Sequence, residues 1–316
     1  MIVLDDAQIL KAVDQAGLVS ALSLAFANGG DTPARMHIDL PGEDGATLLV
    51  MPALDQRDAI GVKIVAVVPS NRERARPTID GVYVLLDGET AQPIAILSAP
   101  ALTAVRTAGV CALASALLSR PDAKTLLMIG TGALAPHLVR AHLSVRPFDR
   151  IVLWGRDPEK ANALARRLSD LPVNIEVATK LSNALGAADV ISCATLSHAP
   201  LVEGRLVVQG AHIDLVGSFS PEMREADTDL FRRGRLIVDT AIAFDESGDL
   251  IGPLQEGIID RSAPDLAALV RSPDLGRADA REITIFKTVG TGLADLAAAR
   301  YILSRLEKGP NQGFRT

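Results

Sequence analysis

MIGTGALAPHLVRAHL, residues 128–143, is the stretch that says most about the fold. An apolar run ends at Ile129, and the turn 130–135 (GTGALA) then leads into a segment with helical periodicity. This is the pattern G-x-G-x-x-A between a strand and a helix. The first glycine allows a tight turn, the second lets backbone N–H groups approach a pyrophosphate, and the alanine permits close helix–strand packing. The stretch predicts a dinucleotide-binding turn, although a purely structural glycine turn has the same pattern.

Short apolar runs alternate with helical segments around this turn. The predicted strands are 125–129, 150–154, 174–177, 190–194, 212–216 and 236–238. Helices are expected after the turn, over 158–169 and around 181–187. Six short strands alternating with helices are typical of a Rossmann-type doubly wound parallel sheet that is covered on both faces. We expect this α/β domain to span residues 119–290.

The chain before residue 119 has a different pattern, with strands grouped together. Its predicted elements are a helix, five strands and a second helix, at 5–27, 35–40, 46–54, 59–69, 81–86, 93–97 and 101–118. Asp87-Gly88 between the last two strands is a strong hairpin signal. A final helix is predicted at 292–306. We expect it to fold back on this part, giving a discontinuous α+β dimerisation and substrate domain of residues 1–118 and 291–316.

The end of the second strand of the predicted parallel sheet bears on the choice of dinucleotide. The run 153–157 (LWGRD) carries no acid at the strand end, where one would bind the ribose of NAD. Arg156 follows, and an arginine can pair with the 2′-phosphate of NADPH, which we therefore predict as the preferred cofactor. NADH stays open, because a shift of one residue would place Asp157 against the ribose. Both side chains also fit a solvated turn and a helix N-cap.

Three cations of the first part lie among apolar residues. Lys63 is inside GVKIVAV, Arg35 begins RMHID, and Arg106 is inside ALTAVRTA. Burying an unpaired charge is costly, so such cations form local ion pairs or bind an anion. Since a dinucleotide-binding turn follows in the same chain, we interpret Arg35, Lys63 and Arg106 together as a clamp for a substrate carboxylate.

At these residues the chain resembles the ornithine cyclodeaminase/mu-crystallin family, over nearly its whole length. The stretches that carry the resemblance are Arg35-Met36-His37, TLLVMPALDQRDAIGVK at 47–63, TAVRTA at 103–108, the 130–135 turn, HIDLVGSFSPEMRE at 212–225, and KTVG at 287–290 with Asp295 in the final helix. Each stretch is weak alone, and their combination is specific to the family.

The resemblance implies a homodimer in which a Rossmann domain accompanies a discontinuous substrate domain. The family includes cyclodeaminases, amino-acid dehydrogenases and reductases of cyclic ketimines, all of which move a hydride at the carbon that bears the carboxylate. It implies that Arg35, Lys63 and Arg106 hold that carboxylate, with Lys63 nearest the reacting nitrogen. Lys63 is our candidate for the catalytic residue, and a role as a clamp member only is the alternative. Two neighbouring arginines should lower the pKa of Lys63 and help it to give up a proton.

The cofactor contacts that we expect are spread over both parts of the chain. They are Thr107, Gly130, Thr131, Gly132, Ala133, Leu134, Arg156, Thr195 and Gly290. Thr195 follows a predicted strand at the sheet edge where ligands bind, and Gly290 precedes the last helix. Simple turn hydrogen bonds at Thr195 and helix capping at Gly290 are the alternatives.

One departure from the family pattern narrows the expected activity. Cyclodeaminases have an aspartate two residues beyond the glycine that follows the strand, where it holds the α-amino group. Here Phe219 has the matching position, and a phenyl ring accepts no hydrogen bond from an ammonium group. Asp214 and Glu222 lie nearby in sequence, but neither matches the motif. The variant GSFSPEMREAD is similar to that of the 1-pyrroline-2-carboxylate and 1-piperideine-2-carboxylate reductases.

The expected function is therefore an NAD(P)H-dependent reductase of cyclic 2-imino acids that yields L-proline or L-pipecolate. Three alternatives remain open. Two are enzymes, an ornithine cyclodeaminase with bound NAD and an alanine-type amino-acid dehydrogenase. The third is an NADPH-dependent binding protein for a small ligand, which would need no intact clamp.

Composition excludes several classes of partner. The 316 residues carry a formal net charge of −6 without a basic block, which argues against binding to nucleic acid. The longest uncharged run, 90–105, is shorter than a membrane span and contains two prolines. Two cysteines form no disulfide framework, and the five histidines show no metal-ligand spacing. We expect a cytoplasmic protein with no metal and no membrane contact.

Overall fold

A computed structural model describes residues 1–41, 45–55, 58–74 and 76–307. Its contacts divide the chain into two compact units, one of Met1–Thr107 with the segment from Thr291 onward, the other of Ala108–Gly290. We placed the boundary at residue 118, whereas the contacts divide the chain inside the helix that ends there. Gln56 and Arg57 of the 47–63 stretch, and residues 308–316 of the expected domain, lie outside the described residues.

The first unit contains a six-stranded sheet with the strand order β1-β6-β5-β4-β3-β2. Its strands are β1 (Ile2–Leu4), β2 (Met36–Asp39), β3 (Thr47–Asp55), β4 (Ala59–Val67), β5 (Ile79–Asp87) and β6 (Pro93–Ser98). Neighbours are antiparallel except β1, which pairs parallel with β6. The five predicted strands are confirmed. β1 was not predicted, because three residues are too few to show a periodicity.

The helices of the first unit differ from the prediction at one point. They are α1 (Asp6–Ala12), α2 (Gln15–Asn28), the part of α3 (Ala99–Leu118) up to Thr107, and the C-terminal helix (Gly292–Glu307). The prediction of one helix over 5–27 is wrong, because the chain bends by 87° between α1 and α2. Asp14 causes the break: its carboxylate accepts the N–H of Gly17 at 2.9 Å and so caps the start of α2.

Helix α3 is long and apolar enough to cross a membrane by composition alone. However, 83% of its most apolar stretch is buried inside the protein. It therefore packs as the core helix of a soluble protein does.

The second unit contains a seven-stranded parallel sheet with the order β12-β13-β11-β10-β7-β8-β9. Its strands are β7 (Thr125–Ile129), β8 (Arg150–Trp154), β9 (Asn174–Val177), β10 (Val190–Cys193), β11 (His212–Leu215), β12 (Gly234–Val238) and β13 (Ile283–Lys287). The six predicted strands and the doubly wound parallel sheet are confirmed. The seventh strand, β13, was not predicted, because its run of four residues (ITIF) is short and is followed by a lysine. All five residues of the strand, including this lysine, are buried.

Helices connect these strands in the manner of a Rossmann fold. They are α4 (Ala135–Val145), α5 (Pro158–Arg167), α6 (Leu181–Leu185), α7 (Thr228–Arg233), α8 (Ala243–Glu246), α9 (Gly248–Gln255) and α10 (Leu266–Arg271). The chain leaves β7 toward β8 and β9, then returns to the other side of β7 at β10. Where the strand order reverses in this way, ligands bind outside the carboxyl ends of the strands. The glycine-rich turn follows β7, at this point.

Candidate active site

A buried ionic cluster occupies the first unit where β4, α3 and the C-terminal helix come together. The Lys63 ammonium lies 2.7 Å from Oδ2 of Asp295, and Nε of Arg106 donates to Oδ1 of the same carboxylate at 2.9 Å. Lys63 is 4% exposed, Arg106 is 5% exposed, and Asp295 is fully buried. We call these three residues the clamp cluster.

Strand periodicity and helix geometry place these side chains. On β4, buried residues alternate with half-buried ones, and Lys63 has a buried position between Gly61 and Val65. Arg106 lies within the buried α3, and Asp295 lies in the first turn of the C-terminal helix. A lysine in an otherwise apolar strand and an arginine in a buried helix are thereby brought onto the same carboxylate, that of Asp295.

The charged groups of the clamp cluster shift one another's pKa values. Burial alone would raise the pKa of Asp295, but Arg106 and Lys63 outweigh it, and the pKa is lowered. For Lys63, burial is the main cause that lowers the pKa to about 8; Arg106 and Arg35 lower it further, while Asp295 raises it. The expected direction for Lys63 is confirmed, although burial contributes more than the arginines.

Arg35 lies just before β2 and is half-buried. It is near enough to Lys63 for its charge to lower the lysine's pKa. The structure therefore brings the three predicted cations together in one unit. Lys63 and Arg106 each form an ion pair, and both pairs are with the Asp295 carboxylate. Two positive charges therefore share one negative charge in the described residues, and the excess positive charge can bind an anion. The role of these residues toward a substrate stays a prediction.

Asp295 is the residue of this cluster that sequence reasoning did not place in the site. It was noted only as a marker of the family resemblance. The signal that could have found it is the same as for the cations: a carboxylate within GLADLAAARYIL, a helix whose other first-turn residues are apolar. A buried acid needs a partner that compensates its charge, and a buried cation is one such partner.

The glycine-rich turn of the second unit has the geometry that a dinucleotide requires. Gly130 has φ +112°, and a Cβ there would lie 2.3 Å from the carbonyl oxygen of Ala194. A Cβ at Gly132 would meet nothing within 4 Å. Within the described residues, the N–H groups of Thr131, Gly132, Ala133 and Leu134 donate to no protein acceptor. Open space, free N–H groups and the start of α4 together fit the phosphates of a dinucleotide.

The other predicted cofactor residues have varied surroundings. Arg156 is exposed in the turn after β8. Asp157 is the N-cap of α5, where its carboxylate accepts the N–H of Glu159 at 3.0 Å, as the N-cap alternative proposed. Thr107 is 6% exposed on α3. Contact of these residues with a cofactor stays a prediction.

Thr195 and Gly290 both hydrogen-bond to buried carboxylates of the protein itself. The N–H and the hydroxyl of Thr195 donate to Oε1 of Glu225, at 2.7 and 2.9 Å. The N–H of Gly290 donates to Oδ2 of Asp239 at 2.6 Å. The N–H of Val289 and the hydroxyl of Thr288 donate to the same oxygen. The bonds of Thr195 run to a residue 30 positions away in the chain and are therefore not simple turn hydrogen bonds. Contact of Thr195 and Gly290 with a cofactor stays a prediction.

Of the two acids that lie near Phe219 in sequence, Glu222 is exposed and accepts the Ser220 hydroxyl at 2.9 Å. Phe219 is 41% exposed. Asp214 is fully buried and lies between two histidines, at 2.9 Å from His142 and 3.0 Å from His212. Burial would raise the pKa of Asp214, but these histidines lower it overall. Asp214 therefore joins β11 to α4 and is not available to a substrate amine.

A second buried ionic cluster, which the sequence did not reveal as a unit, lies at the carboxyl edge of the parallel sheet. Glu225, Asp249 and Lys287 are fully buried, and the Lys287 ammonium is 3.5 Å from Oδ2 of Asp249. Burial is the main cause that raises the pKa of Glu225 to about 7; Asp249 also raises it, and Lys287 lowers it. We call these residues the edge cluster.

Comparison with known proteins agrees with the fold. The model of the ornithine cyclodeaminase/mu-crystallin family matches residues 6–310. The chain belongs to this family. The resemblance inferred from the short motifs, and the fold that it implied, are therefore confirmed.

Individual proteins are similar to this chain over most of their length. Protein SAR DEFICIENT 4 of Arabidopsis thaliana is 39% identical over 81% of this chain and 82% of its own. A Delta(1)-pyrroline-2-carboxylate reductase of Colwellia psychrerythraea is 33% identical over 92% and 94%. The solved Thermococcus litoralis Delta(1)-pyrroline-2-carboxylate reductase, in complex with NADH and L-proline, has a TM-score of 0.91 at 28% identity and covers 99% of this chain and 100% of its own.

Proposed function

We propose that this protein is an NAD(P)H-dependent reductase of cyclic 2-imino acids, which converts 1-pyrroline-2-carboxylate to L-proline and 1-piperideine-2-carboxylate to L-pipecolate. The observation that carries the proposal is the charge of the clamp cluster. Two buried cations share one carboxylate, Arg35 lies nearby, and the surplus positive charge suits a small carboxylate. The relatives named Delta(1)-pyrroline-2-carboxylate reductase support this choice of substrate.

The clamp cluster would orient the imino acid through its carboxylate. Arg106 presents a planar guanidinium, which Asp295 holds through Nε, and its terminal nitrogens suit a paired contact with a carboxylate. Asp295 also fixes the Lys63 ammonium. Because the pKa of Lys63 is about 8, this group is protonated at neutral pH and yet gives up a proton more readily than an ordinary lysine. We propose that Lys63 protonates the ring nitrogen.

The glycine-rich turn would bind the pyrophosphate of the dinucleotide through its backbone N–H groups. When bound, NAD(P)H supplies the hydride that the imine carbon accepts. NADPH is the preferred cofactor in this proposal, because Arg156 is exposed at the end of β8 while the Asp157 carboxylate is engaged as the α5 N-cap. An engaged carboxylate is less available to the ribose hydroxyls that it would bind in an NADH enzyme.

Ornithine cyclodeaminase is the less favoured activity. It needs a group that holds the substrate's α-amino nitrogen, and the matching position carries the exposed Phe219. The neighbouring Asp214 is buried between His142 and His212. A planar, less basic imine does not require such a carboxylate, so the site suits reduction better than deamination.

We propose further that the enzyme is a cytoplasmic homodimer. On the first sheet, the residues that alternate with the buried ones form an apolar face, which we call the outer face: Val50, Pro52, Val62, Ile64, Val82, Val84 and Ile96. They lie side by side across β3 to β6, and Val82 is 40% exposed. A second copy would cover this face, as the family resemblance implies. Light scattering should give twice the 33.3 kDa chain mass, and Val62→Lys should halve it.

The test of the activity is oxidation of NADPH and NADH with 1-pyrroline-2-carboxylate, run beside ornithine plus NAD. We expect rapid oxidation of NADPH with the imino acid. Arg106→Ala and Lys63→Ala should each lower kcat/KM on the order of a hundredfold or more, since each removes one of the cations proposed to hold the substrate carboxylate. The matched control is Lys11→Ala, an exposed lysine of α1, which should leave kcat/KM unchanged. Ammonia and proline from ornithine, without imine reduction, would overturn the proposal.

A further inference from the structure

Glu225 ends the family stretch 212–225, and the proposed chemistry gives it no role. Its side chain is fully buried in the second unit. Oε1 accepts the N–H and the hydroxyl of Thr195, at 2.7 and 2.9 Å, while Oε2 accepts the N–H of Gly217 at 2.7 Å. Thr195 follows β10, and Gly217 follows β11. One carboxylate therefore joins the ends of two neighbouring strands at the edge of the sheet where ligands bind.

The backbone segments held by Glu225 are packed without spare room. A Cβ at Gly217 would lie 1.8 Å from the carbonyl oxygen of Thr195 and 2.6 Å from Oε1 of Glu225. A Cβ at Gly130, in the glycine-rich turn, would lie 2.3 Å from the carbonyl oxygen of Ala194 and 3.3 Å from Cγ2 of Thr195. The phosphate turn thus rests directly on the segment that Glu225 fixes. A displacement of Thr195 should therefore also displace Gly130.

The edge cluster in turn holds Glu225. Asp249 Oδ1 accepts the N–H groups of Glu225 and Ala226, at 2.7 and 3.0 Å. The Lys287 ammonium donates to the carbonyl oxygen of Leu215 at 3.1 Å and lies 3.5 Å from Asp249. Lys287 thus contacts β11 from β13, one strand further along the sheet. The ends of β7, β10, β11 and β13 are linked through one buried set of contacts.

We propose that Glu225 is a positioning residue for the dinucleotide: it touches no cofactor atom but fixes Thr195, and through it the turn at Gly130, in the arrangement that binds the phosphates. This inference rests on the proposed function, since it assumes that the turn binds NAD(P)H. A carboxylate is needed because it offers an acceptor to every one of the three donors. A side-chain amide offers one oxygen and one NH₂, so either orientation sets NH₂ hydrogens against a backbone N–H.

The experiment measures the Kd for NADH and NADPH by fluorescence titration, without substrate, in the wild type and in Glu225→Gln. We expect both Kd values to rise on the order of tenfold in the variant, because a hydrogen bond to a charged group is lost. The KM for the imino acid should stay within about twofold, since the clamp cluster lies in the other unit. A purely structural role would instead lower the folded fraction and leave the Kd of the folded protein unchanged.

The matched control is Glu222→Gln. This exposed glutamate lies in the same loop, and its carboxylate accepts the Ser220 hydroxyl at 2.9 Å. Its Kd values should equal those of the wild type. If Glu225→Gln binds both dinucleotides as the wild type does, the positioning role is wrong while the proposed function stands. If the wild type itself binds neither dinucleotide, the proposed function fails first.

A second measurement decides the case in which Glu225→Gln does not fold. The pKa of Glu225 is about 7, and the groups that face it are Lys287, Asp249 and the Cys193 thiol. Protonation weakens the carboxyl as an acceptor, so the wild-type Kd for NADH should rise severalfold from about pH 8 to about pH 6. NADH is used because it lacks the titrating 2′-phosphate. A Kd that does not change over this range overturns the inference.

Discussion

The clamp cluster and the edge cluster are built from the same kinds of residue in opposite proportions. Lys63, Arg106 and Asp295 provide two cations and one carboxylate, whereas Lys287, Glu225 and Asp249 provide one cation and two carboxylates. All six side chains are buried. A buried charge must be compensated by an opposite charge or by hydrogen bonds. Because the excess charge of the two clusters has opposite sign, different groups must compensate it in each.

The edge cluster finds its partners inside the protein. Backbone N–H groups of Thr195, Gly217, Glu225 and Ala226 donate to its two carboxylates. The clamp cluster has no corresponding set of acceptors: Asp295 is the one carboxylate within reach of both cations in the described residues. The comparison teaches that excess charge marks a site for a ligand only where the protein leaves it unmatched. The first cluster should bind a carboxylate, and the second should hold backbone.

Removal of the central acid should give the largest effect. Asp295→Asn leaves Lys63 and Arg106 buried without their partner, and we expect the free energy of unfolding to fall by about 3 to 5 kcal/mol. A carboxylate ligand such as L-proline should recover part of this loss, because it supplies the missing negative charge. Urea titration with and without proline measures both quantities.

The matched change in the other cluster is Asp249→Asn. It should cost less, about 1 to 3 kcal/mol, because two backbone N–H groups lose a charged acceptor while one repulsion with Glu225 disappears. Proline should recover none of it. Equal recovery in both variants would show that the clamp cluster has no special affinity for carboxylates.

The pH dependence of imine reduction tests whether Lys63 transfers a proton to the substrate. Lys63 is protonated below its pKa of about 8. If this proton goes to the substrate, kcat/KM is level below about pH 8 and falls roughly tenfold for each pH unit above it. Asp295 raises the pKa of Lys63, so Asp295→Asn should move the break to lower pH.

That shift separates the lysine from the substrate's own titration, which no substitution in the enzyme can move. Lys63→Arg should have a low rate and no break, because a guanidinium does not give up its proton in this range. A break that stays at the same pH in Asp295→Asn would assign it to the imine and remove Lys63 from proton transfer.

The sequence predicted the cations better than it predicted their partners. Strands β7, β8 and β9 match their predicted bounds. For β7 and β8 this is because each is a short run that ends at a glycine and begins after a charged residue. Arg35, Lys63 and Arg106 were found because a cation in an apolar segment is conspicuous. Asp295 and Glu225 were not, because their partners come from elements far away in the chain, and spacing along the sequence carries no information about such pairs.

The errors in the fold have a similar cause. Helical periodicity continues across residues 5–27, but the Asp14 side chain satisfies the first N–H groups of α2 and lets the chain turn there. Strand β13 ends in a lysine, a residue type that is seldom fully buried. Its ammonium is instead paired with Asp249 and with the Leu215 carbonyl. In both places a side-chain hydrogen bond overrode the pattern of apolar residues.

The phosphate turn allows a sharper comparison, between two glycines that should fail in different ways. Gly130→Ala places a Cβ 2.3 Å from the Ala194 carbonyl at φ +112°, so the protein should lose about 1 to 3 kcal/mol of stability. Gly132→Ala meets open space, and its stability should stay within about 0.5 kcal/mol. Its Kd for NADPH should nevertheless rise about tenfold, because the new methyl group occupies the approach of the pyrophosphate. Unchanged binding by Gly132→Ala would contradict the assignment of this turn to the cofactor.

The smallest effect is expected at Arg156, where an exposed cation would add specificity to a turn that otherwise binds through backbone N–H groups. Arg156→Ala should raise the Kd for NADPH about threefold to tenfold, since an exposed charge contributes less than a buried one even to a phosphate. The Kd for NADH should not change, because that cofactor lacks the 2′-phosphate. Lys160→Ala, an exposed cation 3.9 Å from Asp157, is the matched control and should affect neither. If both cofactors weaken equally in Arg156→Ala, the arginine supports the turn as a whole, and the preference for NADPH must come from another residue.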